Sequence, residues 1–182
     1  MKRAIVIQGA PGVGKTTLAR RLARDLGIKL IVKDDIKELL FETLGQPVDK
    51  TESEAYGRAA IRAMYATMDE LIKVGQQVMI EAPLLPAYAP RDIERIMPLG
   101  EVLQVHVYCD PVVHEQRFLR RVASGERHDG HGDTVIDPVA TQERNSAIMG
   151  MATIVVDTTN FTDADYQKLL EKIQHVMQGE KV

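Results

Sequence analysis

Short apolar runs alternate with longer, helically periodic segments along the whole chain. Ala4-Ile5-Val6-Ile7 is the first run and predicts a strand over about residues 3–8. Leu18, Leu22 and Leu26 follow at i, i+4 and i+8, one face of a helix running from about Gly14 to Leu26 and stopped at Gly27. Lys29-Leu30-Ile31-Val32 predicts a second strand. The next helix carries Ile36, Leu39, Leu40 and Leu44 as its apolar positions, with Asp34 or Asp35 as its cap and Gly45 at its end. Thr51 and Glu54 have the spacing of a capping box and open a long helix bearing Ala60, Met64, Met68, Leu71 and Ile72, closed by Gly75.

A third strand is expected over 77–81, around Val78-Met79-Ile80. Pro83, Pro86 and Pro90 make 82–90 a loop, and a short helix is expected over 91–97. The fourth strand is 102–108. Asp110 then caps a helix with Pro111 at its first position. Gly125, Gly130 and Gly132 mark a loop over 124–133, followed by a helix over 138–148, a strand over 153–156 and a last helix from Thr162 to about Met177. Strand and helix thus alternate throughout, which predicts an α/β fold: a five-stranded parallel sheet with helices on both faces.

Composition narrows this picture. The 182 residues suit one domain with a real core, so residues 1–182 read as a single unit. A formal net charge of −3 gives no bulk basic field for nucleic acid. Cys109 is the sole cysteine, which excludes an internal disulfide and fits a cytoplasmic location. No apolar run approaches the ~18 residues of a membrane span. Met1-Lys2-Arg3 and the apolar run behind it imitate a signal peptide, but cleavage would destroy the motif that follows.

That motif is GAPGVGKT at 9–16, a GxxxxGKT phosphate-binding loop between a predicted strand and a predicted helix. Gly9, Ala10, Pro11, Gly12, Val13 and Gly14 would wrap backbone N–H groups around phosphate oxygens, with Thr17 opening the helix beyond. Lys15 would reach the β- and γ-phosphates and Thr16 would offer its hydroxyl to Mg²⁺. The helix N-terminus adds positive potential there. ATP and Mg²⁺ are therefore the expected cofactors.

In an open parallel sheet, ligands sit at the C-terminal ends of the strands. Four other features fall on that edge. Asp34 and Asp35 follow strand two, and either carboxylate could accept the proton of an attacking hydroxyl while the other caps the helix. Glu81 ends strand three and suits a Mg²⁺ held through water. Arg117, Arg120 and Arg121 share a helix face, with Arg127 beyond, and read either as charge stabilisers for phosphoryl transfer or as a solvated basic face. Thr158-Thr159-Asn160-Phe161 reads as an adenine-side loop, a turn before the last helix, or both. Asp110 is better explained as a cap than as a metal ligand. His128 and His131, with Asp129 and Asp133, read as solvated loop residues rather than a metal site, and Cys109 as a small packed hydrophobe.

The chain resembles the small P-loop kinases related to polynucleotide 5′-hydroxyl kinase, chloramphenicol phosphotransferase and the zeta toxins. GAPGVGKT, KDDIK at 33–37 and RFLRRVASGERHDGHGD at 117–133 carry the likeness. It implies a three-layer P-loop fold with an arginine-bearing lid over about 117–134. It implies Asp34 as general base, Arg117 or Arg121 on the phosphates and Arg127 closing over them. Where that group has a phosphate-contacting arginine, this chain has Lys37. The loop 82–90, with Pro83, Leu84, Leu85, Pro86 and Tyr88, is apolar; it suits a small organic alcohol better than a phosphate backbone, or equally packs against the neighbouring helix.

The sequence thus points to an ATP-dependent kinase for a hydroxyl-bearing small molecule. Asp34 is its base, Asp35, Lys37 and Tyr88 are its acceptor-side residues, and Thr159 lies on its nucleotide side. A polynucleotide 5′-kinase and a nucleotide-dependent switch without transfer are the alternatives. No NKxD-type guanine motif supports a GTPase. The sequence carries no indication of oligomeric state.

Overall fold

The computed structural model describes residues 3–125 and 134–179. The sheet has five strands, all parallel, in the order β2-β3-β1-β4-β5. They are β1 (Ala4–Gln8), β2 (Lys29–Val32), β3 (Val78–Ala82), β4 (Val102–Tyr108) and β5 (Ala152–Asp157). The helices are α1 (Lys15–Leu26), α2 (Lys33–Leu44), α3 (Lys50–Lys73), α4 (Ala89–Glu94), α5 (Pro111–Ala123), α6 (Pro138–Arg144) and α7 (Asp163–Gln178). Every residue of β1 is buried, Gln8 included, as its central position between β3 and β4 requires.

Alternation along the strands splits the interior into two cores. Ile5, Ile7, Leu103, Val105 and Ile154 face α1 and α7, where Leu18, Leu22, Tyr166 and Ile173 complete one core. Ala4, Val6, Val78 and Ile80 face the other way, onto Met64, Met68 and Ile93 of α3 and α4. Fully burying one such leucine or isoleucine is worth about 1.5–3 kcal/mol. The sheet is therefore a stiff platform, and its C-terminal edge inherits that stiffness.

Several local expectations need correction. No side chain caps α2: its N-cap is Val32, and Asp34 and Asp35 lie in the first turn instead. Both still act favourably on the positive end of the helix. The cap of α3 is Asp49, which accepts from the Glu52 N–H, while the Glu52 carboxylate reaches back to the N–H of Val48. The capping residues are therefore Asp49 and Glu52, two residues ahead of Thr51 and Glu54. Leu39 and Leu44 are exposed, and α2 buries Lys37 and Phe41. Helix α4 begins at Ala89 rather than Arg91, and α6 ends at Arg144 rather than near Ile148. Asp110 does cap α5, accepting from the N–H groups of Val112 and Val113, and Thr162 and Asp165 form a full capping box on α7.

Candidate active site

The phosphate loop connects β1 to α1, and its glycines answer to geometry. A Cβ on Gly9 would stand 2.1 Å from the Val107 carbonyl oxygen, so the chain can leave β1 past β4 only without a side chain. Gly12 has φ +92° and sits against the His114 ring. Gly14 is the N-cap of α1, with no side-chain cap and no acidic residue in the first turn. The unsatisfied N–H groups at that helix end form a site for an anion.

Three carbonyls of the loop are held by side chains, two of them from outside the loop. Lys15 Nζ donates to the Ala10 carbonyl at 2.8 Å, His114 Nε2 meets the Pro11 carbonyl at 2.6 Å, and the Thr158 hydroxyl donates to the Val13 carbonyl at 2.7 Å. Thr17 is exposed at the start of α1.

Strand register fixes what faces the loop. Glu81 pairs with Ile7 on one side and Val32 on the other, so it stands level with the end of β1 and β2. Its carboxylate is buried, accepts from Thr16 Oγ1 at 2.9 Å and lies 3.5 Å from Lys15 Nζ. Hydroxyl and carboxylate oxygens are the hard donors Mg²⁺ takes, in the small number it uses when phosphates and water fill the rest of its shell. Among the described residues no group of three or more His, Cys, Asp or Glu forms a metal-holding cluster.

Asp34 lies two residues beyond the Val32–Glu81 pair, on the same sheet edge as the loop. Lys33 Nζ holds its Oδ1 at 2.7 Å. Asp35 points to a different partner: Arg20 of α1 donates to both of its oxygens, at 2.9 and 3.2 Å. Lys37 is buried, donates to Ser53 Oγ of α3 at 2.9 Å and sits 5.2 Å from the Phe41 ring centre. Tyr88 is exposed just before α4.

Arg117 spans from α5 to the loop after β5, donating to the Thr158 hydroxyl and to the carbonyls of Thr158 and Thr159. It therefore ties α5 to the residues that hold the phosphate loop. Arg121, one turn further along the same face, is exposed and makes no ion pair with a described residue. Arg127 lies outside the described residues, as do His128, Asp129, His131 and Asp133.

The Thr159 hydroxyl donates to Asp157 and accepts from the Asp110 N–H. Hydrogen bonds donated by the Thr159 hydroxyl and N–H hold the Asp157 carboxyl below the usual carboxylate range. Thr159 also lines a cleft of about 530 Å³ with Tyr108, Val139 and Gln142. Gln142 closes one wall by exchanging two hydrogen bonds with the Cys109 backbone. Burial raises the Cys109 thiol's pKa, and its side chain belongs to the α1-side core.

His114 drew no attention in the sequence, Thr158 only as part of an adenine-side loop, and Gln142 none. Their roles depend on contacts across 103, 145 and 33 residues of chain. One signal was available: His114 and Arg117 are three apart, so they share the face on which the arginines were noticed.

Comparison with known proteins bears on the fold and the family. A cytidylate kinase from Archaeoglobus fulgidus is 29% identical over 118 residues, spanning 64% of this chain and 61% of that protein. A shikimate kinase from Corynebacterium glutamicum is 27% identical over 135 residues, covering 64% of this chain and 76% of the relative. The structure of a provisionally assigned kinase from Chloroflexus aurantiacus superposes with a TM-score of 0.86 at 28% identity, over 96% of this chain and 97% of the other. A gluconokinase from Sinorhizobium meliloti, at 16% identity and TM-score 0.56, shares the fold over 99% of this chain and all of its own. A family model described as AAA domain matches residues 5–144, so the chain belongs to that family and has the α/β P-loop kinase fold.

Proposed function

We propose that this protein is an ATP-dependent phosphotransferase that moves the γ-phosphate onto a hydroxyl of a small molecule. The observation that carries the reading is a shared sheet edge: the phosphate loop, the buried Glu81 bonded to Thr16, and Asp34 two residues past the strand pair that positions Glu81. The kinase names of its relatives support the same reaction class.

In this reading the N–H groups of residues 9–16 and the start of α1 bind the triphosphate, and Lys15 turns from the Ala10 carbonyl towards the β- and γ-oxygens. Thr16 and Glu81 would hold Mg²⁺, Glu81 through water, and the ion would supply charge neutralisation at the phosphates. Asp34 accepts the acceptor's hydroxyl proton as the new O–P bond forms and ADP departs. Asp35 is a weaker base candidate because Arg20 occupies both of its oxygens. Arg121 and Arg127 stabilise charge on the moving phosphoryl group in this reading, while Arg117 braces Thr158 and Thr159 on the nucleotide side. Tyr88 and Leu85, exposed in the loop before α4, form the acceptor wall, while Leu84 packs into the α3-side core. Lys37 and Asp35 are its acceptor-side residues on α2.

The narrower likeness to polynucleotide kinases is weaker on this account. Lys37 is tied to Ser53, and the net charge is −3.

Incubation with γ-labelled ATP, Mg²⁺ and a panel of acceptors tests the proposal. The panel comprises sugars and sugar acids, hydroxylated carboxylic acids, nucleoside monophosphates and a 5′-hydroxyl oligonucleotide. Label is expected on a small alcohol. Label confined to a monophosphate would move the acceptor atom from hydroxyl to phosphate oxygen, and label on the oligonucleotide would restore the polynucleotide reading. ATP hydrolysis with no labelled acceptor would favour a switch or ATPase.

A further inference from the structure

His114 is fully buried on α5, far in sequence from the phosphate loop, yet its Nε2 lies 2.6 Å from the Pro11 carbonyl. A carbonyl oxygen only accepts, so Nε2 carries a proton. Nδ1 is buried and has no hydrogen-bond partner among the described residues, so the ring's hydrogen bonding runs through Nε2. The ring also packs on Gly12: a Cβ there would approach its Cδ2 and Nε2 to 3.4 Å.

In a planar trans peptide the C=O and the following N–H point in opposite directions. Pinning the Pro11 carbonyl towards α5 therefore turns the Gly12 N–H away from α5. Thr158 does the same one peptide pair later: its hydroxyl takes the Val13 carbonyl, which turns the Gly14 N–H away from the loop after β5. Arg117, three residues past His114 on the same helix face, holds Thr158 in turn. One face of α5 thus controls two alternate peptides of the loop. Convergent N–H groups of this kind are what bind a phosphate oxygen.

We propose that His114 is a positioning residue for nucleotide binding. Through its Nε2–H it fixes the Pro11–Gly12 peptide in the orientation that presents the Gly12 N–H to phosphate. This rests on the nucleotide-binding part of the function proposed above and is independent of the acceptor.

Glutamine places an N–H donor the same number of bonds from Cα as His Nε2, whereas leucine fills space without a donor. Titration calorimetry with ATP and Mg²⁺ is therefore run on the parent, His114→Leu and His114→Gln. His114→Leu is expected to weaken ATP binding about tenfold or more, and His114→Gln to bind within about threefold of the parent. A simple packing role predicts the reverse ranking, because leucine suits a buried site better than glutamine does. Parent-like binding by His114→Leu, or equal weakening in both variants, would overturn the proposal.

Should His114→Leu not fold, ¹⁵N spectra of histidine-labelled parent decide. The Nε2–H tautomer with a resonance that moves on adding ATP is expected, and an Nδ1–H tautomer would overturn the inference. ATP binding without transfer to any acceptor would sink the kinase proposal and leave this one standing. A parent that binds no nucleotide would sink both.

Discussion

Replacing Glu81 by glutamine removes one charge from the centre of the site and leaves its shape. Both Lys15 and Glu81 are almost fully buried, at 5% and 3% exposure, with 3.5 Å between Nζ and Oε1. At that separation, and an effective dielectric of about 20, the charges attract by about 5 kcal/mol before desolvation is set against it. Removing one partner from a buried pair generally costs about 3–5 kcal/mol, because the other is stranded. Lys15 keeps the Ala10 carbonyl at 2.8 Å, and glutamine still offers Thr16 an acceptor, so the lower end applies, about 3 kcal/mol. For a domain of this size that is a fall in Tm of about 6–12 °C.

The variant makes a second, distinctive prediction. Phosphate would supply the stranded ammonium with its missing counter-charge. ATP without Mg²⁺ should therefore raise the Tm of Glu81→Gln by more than it raises that of the parent, while added Mg²⁺ should contribute less. Differential scanning calorimetry with and without ATP and Mg²⁺ reads both effects. An unchanged Tm in the free variant, together with an unchanged Mg²⁺ increment, would refute the view that Glu81 balances Lys15 and faces the metal.

Lys15→Ala should reduce ATP affinity at least tenfold and abolish turnover, since the loop loses the one side-chain charge it offers to phosphate; calorimetric titration and a coupled ADP assay measure the two. His106 supplies a pH prediction. Burial lowers its pKa, so the unfolded chain binds more protons than the native one just below the ordinary histidine range. The neutral ring costs nothing above about pH 6.5, and stability falls as pH drops below that value until the folded-state pKa is passed. The loss of Tm between pH 7 and pH 5 should therefore shrink in His106→Gln; the same loss in parent and variant would clear His106 of that role.

The sequence located all five strands to within a residue or so, because a buried parallel strand is written as a local apolar run. The phosphate loop was equally legible, since Gly9 and Gly12 answer to steric demands within and beside one turn. Helix α2 was misjudged for a physical reason. Its leucines mark an apolar stripe, but periodicity does not say which stripe meets a neighbour, and α3 covers Phe41 and Lys37 while Leu39 stays exposed. The cap of α3 was misplaced because two overlapping acidic spacings fit the same signature, and Asp49 takes the role. His114 was out of reach altogether, and Thr158 was legible only as a residue of the loop after β5, not as a brace on Val13. Each acts through a backbone carbonyl, which leaves no trace in residue identity, and each crosses more than a hundred residues of chain.

The central claim is that the phosphate loop and Asp34 form the donor and acceptor halves of one kinase site. Single-turnover transfer from γ-labelled ATP by the parent and by Asp34→Asn, each saturated with nucleotide and with the acceptor found in the panel, tests it most directly. Loss of a general base is worth about 10²–10⁴ in rate. Asp34→Asn should transfer at least a hundredfold more slowly, with ATP affinity within about threefold of the parent, because the loop that binds phosphate is untouched. Transfer at the parental rate in Asp34→Asn would contradict the account, and a matching collapse in Asp35→Asn alone would move the base to the carboxylate that Arg20 now holds.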